Sequence, residues 1–162
     1  MDQKLRDLLT GPNFAHVATV RRDGSPSVTP TWVDLRDDLV LLNGMQGRGW
    51  PRNLIRDPRV TVSVTALGNP YECATLRGHA LAPTTDDAEE HFRHLFRKYR
   101  DRTLPTGGDN DPQDNDMPGR ILFRVVIESA HYQWQPPPGA TEEYDAFLAE
   151  ILHSPAAGKT AP

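Results

Sequence analysis

The sequence predicts a mainly β chain with helices inserted between its strands, six antiparallel strands closing into a small barrel. Three observations carry this. Arg59–Leu67 alternates strictly, with Val60, Val62 and Val64 on one face and Thr61, Ser63 and Thr65 on the other, the period of a half-buried strand. Two further strand-like segments, Phe14–Val20 and Ser27–Leu35, flank a turn containing Asp23-Gly24, a hairpin signal. Segments of helical period are interspersed among strands joined by short turns, the arrangement of a small antiparallel barrel.

Each element follows in order. Residues 2–10 place Leu5, Leu8 and Leu9 on one helical face. Phe14–Val20 is the first strand. Ser27–Leu35 returns as the second, with Val28, Pro30 and Trp32 on one face and Thr29, Thr31 and Val33 on the other. Pro30 cannot donate to a ladder, so this strand is an edge or is bulged. Leu39–Asn43 is the third strand, and a short helix follows it. Arg59–Leu67 is the fourth, and Tyr71–Ala82 the fifth. A helix over Asp86–Arg100 carries Ala88, Phe92, Leu95, Phe96 and Tyr99 on one stripe. Residues 103–119 are rich in Gly, Pro, Asp and Asn and read as a polar loop able to cover a site. Arg120–Trp134 is the sixth and last strand. Thr141–Leu152 closes with an amphipathic helix carrying Tyr144, Phe147, Leu148, Ile151 and Leu152, and residues 153–162 read as a disordered tail. The chain is thus one domain over residues 1–152.

Bulk composition narrows the function classes. The 162 residues carry a net charge of −4, so a general attraction to nucleic acid or to anionic lipid is not expected, and any anion site must be local. No apolar run is long enough for a transmembrane helix, and the N-terminus lacks a signal-peptide core. Cys73 is the only cysteine, so no internal disulfide forms. A cytoplasmic location is the expectation.

The densest chemistry lies in Asn43–Val60, where glycines lead into Arg48 and Arg52 across a helix start near Gly49. Residues four apart share a helix face. Two guanidiniums beside first-turn N–H groups and the positive dipole end would bind a phosphate, and Pro51 is tolerated there because those N–H groups lack helical partners. A solvated face ion-paired to Asp57 is the alternative. Trp50, between the arginines, is placed in a turn facing solvent or a ligand, where an indole can stack on a flat ring. His91 and His94 are three apart, but their charged neighbours read as an exposed face, and no third metal ligand is evident. The acids Asp109, Asp111, Asp114 and Asp116 are out of register for a calcium loop. No nucleophile elbow or phosphate-binding P-loop is present.

The runs "FAHVATVRRDGSPSVTPTWVDL", "LLNGMQGRGWPRNLIRDPRVTVSV" and "NPYECATLRGHA" resemble the pyridoxamine 5'-phosphate oxidase-like split β-barrel family, nearest its branch of deazaflavin (coenzyme F420)-dependent oxidoreductases. The resemblance covers about Phe14 to Ala82, with weaker support at Ile121–Trp134. It implies a six-stranded antiparallel split β-barrel, the FMN-binding split barrel, that forms a homodimer with cofactor at the interface. It also implies hydride transfer between F420, or alternatively FMN, and a small organic substrate. Residues carried over are Thr29, Pro30, Thr31 and Trp32 beside the ring, and Asn43 and Gly44 along the ribityl chain. The family's phosphate run, Gly-Arg-x-Lys-x-Arg-Asn-Leu, falls on Gly47 to Leu54. Arg48, Arg52 and Asn53 keep the pattern, while Trp50 stands where the family has lysine, with Pro51 beside it. A non-catalytic protein holding a planar, haem-like ligand on the same fold is a further alternative. Tyr71, His131 and Tyr132 are weak candidates for a proton donor, and no catalytic residue is assigned.

Overall fold

The structure, a computed structural model, describes residues 1–103 and 118–136. The expected polar loop, C-terminal helix, tail and domain limit at residue 152 lie wholly or largely outside the described residues. The elements are α1 (Gln3–Thr10), β1 (Phe14–Val20), β2 (Pro26–Thr31), β3 (Asp34–Arg36), β4 (Leu39–Met45), α2 (Gly49–Arg56), β5 (Arg59–Ala66), β6 (Asn69–Ala80), α3 (Ala88–Thr103) and β7 (Arg120–Gln133). The seven strands form one antiparallel sheet in the order β2-β1-β5-β6-β7-β4-β3, curled into a half-barrel.

The strand count corrects the expectation of six. Ser27–Leu35 is not one strand but parts of two, β2 and β3, which lie at opposite edges of the sheet. The chain steps from one edge to the other at Trp32–Val33. Aromatic packing from α3 holds that step. The Trp32 ring stacks on Tyr99 at 5.1 Å and on Phe92 at 5.8 Å. Val33 is fully buried and donates its N–H to the Tyr99 hydroxyl at 3.1 Å, which in turn donates to the Asn13 carbonyl at 2.7 Å. Burial pushes the Tyr99 phenol up to about 12. Pro30 lies on edge strand β2, where a residue without an N–H is tolerated.

Local chemistry sets the other joints. Asp2 caps α1 by accepting from the Lys4 N–H, and Leu5, Leu8 and Leu9 are buried beneath it. The β3–β4 turn places Asp37 and Asp38 at positive φ (51° and 63°), a conformation that aspartate tolerates in tight hairpins. At Gly78, where the β6–β7 register shifts, a Cβ would lie 1.9 Å from the Val126 carbonyl oxygen, so only glycine fits. The core runs through the half-barrel from Val17, Val62 and Leu76 to Leu42, Phe123 and Leu54. Among the described residues no helix is long and apolar enough to cross a membrane.

Candidate functional site

Strand β2 passes two cavities. The first, about 1050 Å³, opens where the start of α2 meets the β1–β2 turn, and its walls include Arg21, Arg22, Ser27, Gly49, Arg52 and Arg56. Its cations are poorly matched by acids. The one acid in its lining, Asp23, accepts from the Ser25 hydroxyl and N–H, bonds that hold its carboxyl below the usual range. Arg56 donates to the Val20 carbonyl. Arg21, Arg22 and Arg52 are exposed and form no ion pair among the described residues. Asn53 is buried, and its amide nitrogen donates to the Thr19 hydroxyl at 3.0 Å, tying α2 to β1.

The second cavity, about 360 Å³, lies at the other end of β2 under α3. Pro30, Thr31, Trp32, Asn43, Phe92 and Arg120 contribute to its walls. Asn43 is buried and its orientation is fixed: the amide nitrogen donates to the Ala88 carbonyl at 2.7 Å and lies 3.3 Å from His91 Nδ1. The reverse orientation would oppose two carbonyl oxygens. Asn43 Oδ1 is left buried with no partner. Arg120 is half-buried, its guanidinium carbon 3.5 Å from the centre of the Phe92 ring, and its Nε is likewise unpartnered. Burial, and then the charge of Arg48, pull the Arg120 pKa down from its ordinary value.

The residues expected at the site separate. Pro30, Thr31, Trp32 and Asn43 meet in the small cavity, whereas Arg52 and Asn53 meet in the cationic one. Arg48 is the N-cap of α2, with extended backbone (φ −83°, ψ 166°), so it lies just outside the helical residues to which the four-residue spacing rule applies, and its charge reaches Arg120. Trp50 corrects a second expectation. The indole does not face solvent but is buried with Pro51, tilted against Phe123 at 5.7 Å. Gly44 makes room for it, since a Cβ there would lie 2.8 Å from the Trp50 ring and 2.6 Å from Pro51 Cγ. Thr29 is half-buried mid-strand, paired with Val17. None of the weak proton-donor candidates lines either cavity. Tyr132 donates to Glu72 at 2.8 Å, with its phenol raised to about 12 by burial and by that carboxylate.

Sequence reading missed Arg21, Arg22, Phe92 and Arg120. A double arginine beside Asp23-Gly24 was a visible signal for the first two. Arg120 shares its strand face with Leu122, an out-of-place charge that only the placement of α3 explains.

His91 and His94 converge on Asp34, at 3.6 and 3.1 Å, and Lys98 Nζ lies 3.2 Å from the same carboxylate. Among the described residues no three such side chains are grouped to hold a metal ion. Burial opposes ionisation of Asp34, but the His91 contact and the Lys98 ammonium outweigh it and hold the carboxyl well below the usual range. Its folded pKa therefore lies beneath the unfolded value of about 3.9. The stabilisation it gives is fully present above that value and is lost as pH falls through the folded pKa. Asp34→Asn should cost about 1.5–3 kcal/mol at neutral pH. In urea unfolding, the gap from wild type should shrink as pH falls below about pH 4.

The family model described as pyridoxamine 5'-phosphate oxidase matches residues 1–134. Among solved structures, an F420 reductase is 25% identical, over 78% of this chain and 94% of that one, with TM-score 0.63. An FAD and heme binding protein from Mycobacterium smegmatis is 24% identical, over 91% and 78%, with TM-score 0.57. General Stress Protein 26 from Bacillus anthracis is 16% identical, over 81% and 92%, with TM-score 0.58. No curated protein matches the sequence. The half-barrel, its chain crossing at Trp32–Val33 and the match over most of the length agree: the chain belongs to the pyridoxamine 5'-phosphate oxidase family.

Proposed function

We propose that the protein is an oxidoreductase using a flavin-type cofactor, F420 in the first place and FMN as the alternative. One observation carries this reading: a cavity of arginines short of counter-charge is joined by a single edge strand to an aromatic-walled pocket. Ser27 and Thr31, at the two ends, are four residues apart, about 13 Å along a strand. A ligand with an anionic tail and a planar head matches that separation. Arg52, Arg21 and Arg22 would hold the phosphate tail, and the ring would lie along β2 toward Thr31 and Trp32. Family membership and the 25% identity to an F420 reductase support the choice.

When bound, such a cofactor supplies a hydride acceptor and donor. The chain's own residues bind and orient. Guanidiniums neutralise the tail, β2 supplies a straight rail, and the Trp32–Phe92 stack keeps water from one end. The haem-like alternative is less well served, because among the described residues neither cavity is lined by a His, Cys, Met or Tyr able to act as an axial ligand. Both cavities open outward, so a second protomer covering them is part of the proposal, and sedimentation should give twice the chain mass. Titration of purified protein with F420 and with FMN should quench tryptophan fluorescence saturably at micromolar concentration, F420 more tightly. Failure of both to bind would end this reading.

A further inference from the structure

The first turn of α3 is joined to β4 by bonds that fix where a proton can sit. Asn43, on β4, donates from its amide nitrogen to the Ala88 carbonyl at 2.7 Å, and the same nitrogen lies 3.3 Å from His91 Nδ1. Ala88 opens the helix, and His91, about one turn on, is buried. An amide nitrogen only donates, so Nδ1 meets it as an acceptor, and the single proton of a neutral imidazole falls on Nε2. A second proton, on Nδ1, would set N–H against N–H. Turning the Asn43 amide over does not relieve this, because its oxygen would then oppose the Ala88 carbonyl oxygen.

The charges around the ring do not offset that conflict. From β3, Asp34 faces His91, but both its oxygens are engaged: Oδ1 with Lys98 Nζ at 3.2 Å, Oδ2 with His94 Nε2 at 3.1 Å. His91 Nε2 lies 3.6 Å from Oδ2 and makes no hydrogen bond among the described residues. On α3 itself, Lys98 is fixed by the Leu9 and Val33 carbonyls, and the His94 ring centre is 6.2 Å from that of His91. Asp87 and Glu90, near it in sequence, are exposed, and Glu89 faces Arg93. From β7, Arg120 lies over the adjacent Phe92. Charging His91 thus adds a positive charge to a buried place whose carboxylate is already shared.

We propose that His91 is a pH-sensitive latch: α3 closes on the sheet while His91 is neutral, and protonation of its Nδ1 releases the start of the helix. Water solvates the imidazolium in the released form, so acid shifts the balance toward release. The smaller cavity feels the change, since Phe92 and Leu95 of the same helix are among its walls.

The test uses the full chain with no ligand added, so it stands apart from the cofactor reading. Imidazole nitrogen NMR at about pH 7.5 should show His91 neutral, with its proton on Nε2. Amide hydrogen exchange is then compared between about pH 7.5 and about pH 5.5. After correction for intrinsic rates, protection at His91 and Phe92 should fall about 5- to 10-fold in acid, while that at Val62 and Val64 of β5 changes less than about 2-fold. His91→Asn keeps an acceptor in place of Nδ1 but cannot be charged, and its α3 protection should differ less than about 2-fold between the two conditions. His94→Gln, at the exposed neighbour, should respond as wild type does. Should His91→Asn misfold, His91→Gln takes its place, and the tautomer measurement and the His94→Gln comparison need neither variant. A proton on Nδ1 of neutral His91, no acid loss of protection confined to α3, a full loss in a folded His91 variant, or its disappearance in His94→Gln would each overturn the proposal.

Discussion

Trp50→Lys, which restores the residue the family's phosphate run carries there, should destabilise the protein by at least about 3–5 kcal/mol, the cost of truncating a buried tryptophan. On sequence alone the change looks like a gain of one phosphate contact. In the fold the indole is buried, packed against Phe123 and roofed by the bare backbone of Gly44. A lysine there would leave the ring's volume partly empty, and its ammonium would have to reach water along the helix or lose charge. Trp50→Ala should cost a similar amount through the cavity alone. Gly44 is coupled to it: Gly44→Ala should destabilise the wild type by about 1–3 kcal/mol through overpacking, and should cost less when Trp50 is already Ala, the part that remains being the approach to Pro51. Urea midpoints of the four proteins in that cycle measure the coupling. A Trp50→Lys protein with the wild-type midpoint would show that the indole is not a core residue.

What was legible in the sequence was whatever local chemistry decides. The β5 alternation, the Asp23-Gly24 turn and the leucines of α1 each depend on neighbours a few residues away, and each appears as expected. The start of α2 at Gly49 was legible for the same reason. The break between β2 and β3 was not, because it is made by Phe92 and Tyr99, about sixty residues downstream, closing on Trp32. The direction of Trp50 was hidden too. Its spacing fits both a solvent face and a core face, and only the absent side chain of Gly44 decides between them. Three of the expected ring-side residues, Pro30, Thr31 and Trp32, do share a cavity with Asn43, but the group that gives that cavity its charge, Arg120, lies far beyond them in sequence. Sheet pairing brings it there, through the Met45–Arg120 register of β4 and β7.

Arg52→Ala should weaken F420 or FMN binding about 10- to 100-fold, and Arg21→Ala should do the same, each removing a charged hydrogen bond worth about 1.5–3 kcal/mol. Both side chains are exposed and outside any ion pair among the described residues, so neither change should move the unfolding midpoint by more than about 0.5 kcal/mol. Arg48→Ala is the decisive comparison. If Arg48 and Arg52 formed one clamp across a helical turn, the two variants would lose equal affinity. Arg48 is the N-cap, outside the helical residues of α2, and lines neither cavity, so Arg48→Ala should leave phosphate-tail affinity within about 3-fold of wild type, a difference of under 1 kcal/mol. Salt gives an independent check. Because the cavity works by concentrating positive charge on a chain of net charge −4, raising ionic strength should weaken cofactor binding in the wild type and weaken it less in the Arg21→Ala, Arg52→Ala double variant. Equal losses in the Arg48 and Arg52 single variants would return the phosphate to the α2 turn as a shared clamp. Unaltered affinity in the double variant would remove it from this cavity altogether.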